Sequence, residues 1–345
     1  MNPQEFQFQP VDKLKKKKDK VALASLRQVK PIQPFLDSNK TTSSLDQIFS
    51  DFLELDAGDG KVSPDTLKNY QSQIQYYFNW CISTKLNPLL AEKEDVKKYR
   101  KTLIDSNFKS STIELKLTVV KRFYDACVDR GLIASNPAKG VKAPIQNTDE
   151  ALNICYLELE ELKLLLEAVK AYPRDLLIIS LMALQGLRTI EVQQLNIQDF
   201  IFKQSNCYLT VSSKRSQRTI KLREDVKEFY LNYLIASGRT GSNRQGALIT
   251  SLSPNNRKNR ISRRGIRYIV DNYLKQLNLK QKTNLKGDVI SLSDHSLRHT
   301  FATLVYQQTQ DLKLLQQALG HNDPRTTAKY AHVGNAIAAA DAIQL

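Results

Sequence analysis

The last fifth of the chain holds all four of its histidines, His295, His299, His321 and His332. They bracket Tyr330 in the stretch DHSLRHTFATLVYQQTQDLKLLQQALGHNDPRTTAKYAHV. Imidazole is the side chain that exchanges a proton near neutrality without strong perturbation. Its crowding around one tyrosine and one Arg-His pair, Arg298 and His299, places proton-transfer chemistry at this end of the molecule. Metal binding is the competing use of four histidines. Their intervals of 4, 22 and 11 residues match neither HExxH nor a finger spacing, so no metal or other cofactor is expected.

The charge pattern indicates the partner. The 345 residues include 51 Lys plus Arg against 35 Asp plus Glu, a balance that favours association with a polyanion and says nothing about fold. Residues 203–286 concentrate the excess, with 19 basic residues and four acidic ones. There the cations are interleaved with apolar positions, as in CYLTVSSKRSQRTIKL and RRGIRYIVDNYLKQLNL. The charge therefore belongs to a folded face, expected to meet nucleic acid phosphates with a steep salt dependence. The residues expected on that face are Arg215, Arg218, Arg257, Lys258, Arg260, Arg263, Arg264 and Arg267. Cys81, Cys127, Cys155 and Cys207 lie far apart and read as small hydrophobes of a cytoplasmic, reducing compartment. No run approaches the ~20 apolar residues of a membrane span.

The length suits about two domains. Residues 1–44 read as a basic leader, since the like charges from Lys15 to Lys18 repel and no aromatic residue accompanies them. A helical bundle follows over 45–137. Ser63 caps a helix with Pro64 at its first position, and Leu67, Tyr70, Ile74, Tyr77 and Phe78 form its core stripe. Further helices are expected from Glu94 to Asp105 and over STIELKLTVVKRFYDACVDRGLI, ending at Gly131. The stretch NPAKGVKAPIQNTDE, residues 136–150, is rich in Pro, Gly and polar side chains, and 138–150 within it form the linker.

Beyond it, 151–335 make a second domain of helix, small sheet and helix. Helices are expected over YLELEELKLLLEAVK and YPRDLLIISLMALQG, and CYLTV and RTIKL as two strands joined around SSKRSQ. Helices return at RRGIRYIVDNYLKQL, HSLRHTFATLVYQQ and LKLLQQALG. DPRTTAKYAH begins another, with Asp323 as cap, Pro324 at the first position and Tyr330 two turns along. The fold class is thus mainly α with a small antiparallel β-sheet. With no βαβ alternation, GxGxxG or GxxxxGK, nucleotide-binding folds drop out.

In this setting the chain resembles the tyrosine recombinase, or phage integrase, family. GLRTIEVQQL at 186–195, SK at 213–214, HSLRHTFAT at 295–303 and LGHNDPRTTAKYAH at 319–332 carry the resemblance. It implies a catalytic set of Arg188, Lys214, His295, Arg298, His321 and Tyr330, and a 45–137 bundle that clamps DNA opposite the catalytic domain. It also implies strand cleavage through a 3′-phosphotyrosyl bond without metal or ATP. The partners would be double-stranded DNA sites, exchanged by a homotetramer through a four-way junction. The alanine-rich residues 336–345 would form a helix for protomer contact. A type IB-like topoisomerase or telomere resolvase would use the same residues and is the alternative reading.

The residue types suit those roles. An in-line attack on a phosphodiester builds charge on its nonbridging oxygens, and a planar guanidinium aims two donors at them. Arg298 lies one helical turn after His295, so the two share a face. A phenol of ordinary pKa ~10 is a weak nucleophile until neighbouring cations stabilise the charge it develops. His295 suits accepting the tyrosine proton or holding the phosphate, the resemblance implies that His321 donates to a nonbridging oxygen, and sequence does not separate base from orienter. His299 and His332 read as a packed residue and a helix-end side chain. Lys214 is preferred over Arg215 as the acid for the departing 5′ oxygen, because its head group has the lower pKa.

Overall fold

The computed structural model describes residues 45–55, 62–145, 154–212, 217–240, 245–254, 257–284 and 287–334. They form two compact units, one within residues 1–146 and one within 147–345. Both are mainly helical, and the second carries the antiparallel strands. The basic leader, Lys214, Arg215 and residues 336–345 lie outside the described residues, as do residues 146–150 of the linker.

The first unit contains α1 (Leu45–Leu55), α2 (Pro64–Ser83), α3 (Lys93–Asp105) and α4 (Ser110–Asp129). Ser63 caps α2 as its position predicts, taking the backbone N–H of Thr66 on its hydroxyl, and Pro64 follows without needing a donor of its own. The apolar stripe turns inward. Ile74, Tyr77 and Phe78 of α2 meet Val96, Tyr99 and Leu103 of α3 and Val120, Phe123 and Tyr124 of α4 in one core. Full burial of one such side chain contributes about 1.5–3 kcal/mol. The Tyr77 and Tyr124 hydroxyls, both buried, satisfy each other at 2.6 Å, and Tyr124 donates onward to the Pro88 carbonyl.

In the second unit α5 (Leu159–Val169) and α6 (Pro173–Ala183) lead to a six-residue helix, α7 (Thr189–Gln194). β1 (Phe200–Lys203), β2 (Asn206–Ser212) and β3 (Gln217–Lys221) form an antiparallel sheet in that order. Cys207, Leu209 and Val211 alternate inward along β2. The β2–β3 ladder runs from Tyr208↔Lys221 to Ser212↔Gln217, so the 213–216 segment joins paired strands.

The remainder is α8 (Glu224–Ala236), α9 (Arg263–Gln276), the ribbon β4 (Gln281–Thr283) and β5 (Val289–Ser291), α10 (Asp294–Thr309), α11 (Leu312–Leu319) and α12 (Arg325–Gly334). Helix α6 runs through the core, buried from Asp175 to Ala183, and packs on α5, α8 and α10. That is why LLIISLMA reads as an apolar run and not as a stripe. Among the described residues no helix is long and apolar enough to cross a membrane.

Sequence reading omits β1, the β4–β5 ribbon, α7 and α8. Strands of three or four residues give too few alternations for a period to register.

Candidate active site

Two left-handed glycines shape the site. Gly186 has φ +67°, and a Cβ there would run into the Phe301 ring of α10; Gly320, at φ +62°, ends α11 with Arg218 packed against it. Only glycine fits such turns without strain. Arg298, on the buried side of α10 and 2% exposed, spans them. Its Nη1 donates to the Gly186 carbonyl, and its Nη2 to the Leu319 carbonyl at 2.7 Å and to Nε2 of His321 at 3.0 Å.

A buried carboxylate sits beneath the arginines. Glu191, the third residue of α7, accepts the backbone N–H of Arg188 at 2.8 Å and the Arg188 side chain at 3.0 Å. Arg218 reaches it from β3 with both ends of its fork, at 2.8 and 3.1 Å, and Arg298 Nη1 lies 3.7 Å away. Burial opposes ionisation of Glu191, but Arg218 and the Arg188 N–H outweigh it and hold the carboxyl below its ordinary range. For Arg298 the balance is reversed: burial and then the nearby Arg188 push its pKa down to about 9, which still leaves it charged at neutral pH.

The sequence admits Glu191 only as a local partner of Arg188. Its contacts with Arg218 and Arg298 join residues far apart in the chain, and the 188–191 spacing is the only signal of them.

Tyr330 lies on α12, 1% exposed among Ala302, Tyr306, Leu315 and Leu319. Its hydroxyl shares a 2.7 Å hydrogen bond with Nδ1 of His299. His299, read from sequence as a packed residue, is thus the imidazole on the phenol. Burial pushes the Tyr330 pKa up to about 12, with Arg298 and Arg188 opposing the rise. Burial, then His295 and Lys329, push His299 down to about 3. His295 meets the His299 ring edge-on at 4.8 Å between centroids. It is open to solvent on one side and crowded by protein on the other, and burial and Arg298 lower its pKa.

His321 is fixed by two neighbours. A guanidinium only donates, so Nε2 accepts from Arg298, and Nδ1 carries the proton it shares with Thr327 Oγ1 at 2.8 Å. Burial and Arg298 push its pKa down to about 3, in keeping with a neutral ring.

Of the residues expected from sequence, Arg188, His295, Arg298, His321 and Tyr330 come together around α10, while the side chain of His332, like Lys214, lies outside the description. Among the phosphate-facing candidates, Arg257, Lys258, Arg264 and Arg267 are exposed and Arg263 is half-buried. Arg267 also reaches Asp294 at 3.3 Å. Arg218 and Arg260 are put to other uses. Arg218 serves Glu191, and Arg260 donates to the Gln193 and Leu195 carbonyls and to Asn196 Oδ1. A buried carboxylate and the open carbonyls at the end of α7 draw these guanidiniums inward, which their charge in sequence does not reveal. Among the described residues no group of three or more His, Cys, Asp or Glu could hold a metal ion.

Residues 156–336 match the model of the phage integrase family. The chain belongs to that family. This integrase-family chain also matches, over residues 49–131, the phage integrase N-terminal SAM-like domain. It is 28% identical over 290 residues to the tyrosine recombinase XerC of Thermodesulfovibrio yellowstonii, covering 83% of this chain and 90% of the relative. To the tyrosine recombinase XerC of Proteus mirabilis it is 26% identical over 303 residues, covering 86% and 92%. As an enzyme it is a tyrosine-type site-specific recombinase.

Solved structures share its fold. XerH bound to a palindromic difH substrate, a post-cleavage complex, superposes with TM-score 0.63 at 19% identity, covering 78% of this chain and 77% of XerH. A lambda integrase tetramer on a Holliday junction gives TM-score 0.63 at 19% identity, covering 90% and 84%.

Proposed function

We propose that this integrase-family enzyme cuts and rejoins double-stranded DNA through a covalent bond to Tyr330. The observation that carries the reading is the convergence on α10 of one phenol, three imidazoles and Arg298, with Arg188 beside them and Glu191 behind. Arg188, a third exposed, opens the cluster to solvent, so a backbone phosphate can enter from that side.

Arg188 and Arg298 hold the nonbridging oxygens as charge builds on them. His321 releases Arg298 and, with its proton moved to Nε2 and Nδ1 accepting from the Thr327 hydroxyl, donates to one of those oxygens, and His295 orients the phosphate or takes up a proton. Tyr330 Oη attacks phosphorus in line, and the 5′ oxygen leaves with a proton from Lys214. A 3′-phosphotyrosyl bond and a 5′-hydroxyl result. Because the phosphodiester energy is kept in that bond, a partner strand's 5′-hydroxyl can reverse the step without ATP or metal.

DNA lies along the outer face of α9, where Arg264 and Arg267 are exposed, and along the loop carrying Arg257 and Lys258. The 45–137 bundle also binds the duplex. The working assembly is a tetramer on two sites, related XerC and lambda integrase proteins being recombinases and the latter having been seen as a tetramer on a junction.

Suicide duplexes built from the flanks of the gene test the reading by trapping protein on DNA. Tyr330→Phe is expected to bind those duplexes as before and form no adduct. Persistence of the adduct would assign the nucleophile elsewhere.

A further inference from the structure

The phenol must lose its proton as it bonds to phosphorus, so a base has to reach it within hydrogen-bond distance. The three described imidazoles are not equally placed for this. His321 already spends its lone pair on Arg298 and its N–H on Thr327. His295 faces solvent and touches the edge of the His299 ring. His299 is in contact with the hydroxyl itself, 2.7 Å from Nδ1 to Oη.

We propose that His299 is a catalytic residue, accepting the Tyr330 proton on Nδ1 as the phenol attacks. The inference rests on Tyr330 being the nucleophile. As the Oη–P bond forms, the Oη–H bond breaks and its proton passes to Nδ1. The P–O5′ bond breaks, its electron pair stays on O5′, and O5′ takes a proton from Lys214. In rejoining, the His299 imidazolium returns its proton to Oη while the attacking 5′-hydroxyl gives one to the lysine amine.

The surroundings suit a base that is idle until DNA arrives. His295 and Arg298 face His299 from α10, Tyr330 and Lys329 from α12, and His321 from the turn after α11. In the free protein burial and these groups keep the ring neutral, with its acceptor lone pair intact. A docked phosphate places negative charge among the same cations. It offsets the repulsion from Arg298 and Lys329, and so raises the basicity of His299 where the reaction needs it. Lys329 stays close to the developing phenolate, its Nζ 5.6 Å from the Tyr330 ring centre.

The first measurement uses a substitution only to assign a signal. In full-length protein labelled with 15N-histidine, the His299 ring, assigned by its loss in His299→Asn, is expected to have unprotonated Nδ1 and protonated Nε2. A proton resident on Nδ1 overturns the proposal.

The second is single-turnover adduct formation at saturating protein on the suicide duplex. His299→Asn keeps a polar group near the Nδ1 position but cannot accept a proton. It is expected to slow adduct formation roughly 10²–10⁴-fold with duplex affinity unchanged. On a duplex with a 5′-bridging sulfur, whose thiolate leaves without a proton, Lys214→Ala is expected to recover and His299→Asn to stay slow. Adduct formation by His299→Asn at the wild-type rate, or its full recovery on the sulfur duplex, overturns the assignment. Adduct retained by Tyr330→Phe would instead sink the nucleophile reading, so the two failures are distinguishable.

Discussion

In the first unit the largest buried side chains are aromatic: Tyr77, Tyr99, Tyr124, Phe49, Phe78 and Phe123. In the second the corresponding place is taken by Arg298, tied to Glu191, Arg218 and His321. An aromatic core is stabilised simply by leaving water. A buried guanidinium is costly unless every donor is met. The second unit accepts that cost in order to present charge in a fixed geometry, which is what a pre-organised phosphate site requires. The comparison separates residues that hold a fold from residues that a fold is built to hold.

Removing Glu191 is the most severe way to break the contrast. Glu191→Ala leaves Arg218 and Arg298 buried without their carboxylate and should destabilise the second unit by about 3–5 kcal/mol. Adduct formation should disappear while the first unit's melting is unaltered, as followed by differential scanning calorimetry. Phe123→Ala is the counterpart in the first unit. Its cavity should cost about 3–5 kcal/mol there, and the 15N-histidine signals of the second unit should not move.

Acid sharpens the comparison, because every histidine lies in the second unit. His299 and His321 sit near 3 when folded, against an ordinary 6.5. Their folded pKa values are depressed, so the unfolded chain binds more protons between those limits. Stability is complete above about 6.5 and falls as pH drops, by about 1.4 kcal/mol per pH unit for each group at most. Between pH 6.5 and 4.5, urea melts should show the second unit weakening and the first holding steady. The smallest expected effect is that of Tyr77→Phe, which breaks the hydroxyl pair with Tyr124 and should cost about 1 kcal/mol by urea titration, leaving adduct formation at its wild-type rate.

The same contrast governs what could be read from sequence. The α2 helix is legible because Ser63, Pro64 and the stripe to Phe78 are local signals on one short segment. The β2–β3 hairpin and α12 are legible for the same reason. The partnership of His299 with Tyr330 spans 31 residues and that of Arg218 with Glu191 spans 27, and no periodicity reports such pairs. Nor does charge alone distinguish Arg264, exposed on α9, from Arg260, which braces the end of α7.

The two glycine turns bridged by Arg298 act as a ruler. One side chain is pegged to the carbonyl of Gly186 and to that of Leu319, just ahead of Gly320, so it fixes the separation of the segments bearing Arg188 and His321 in the free protein. An effort to retarget this enzyme to new sequences therefore has to leave positions 186, 298 and 320 as they are.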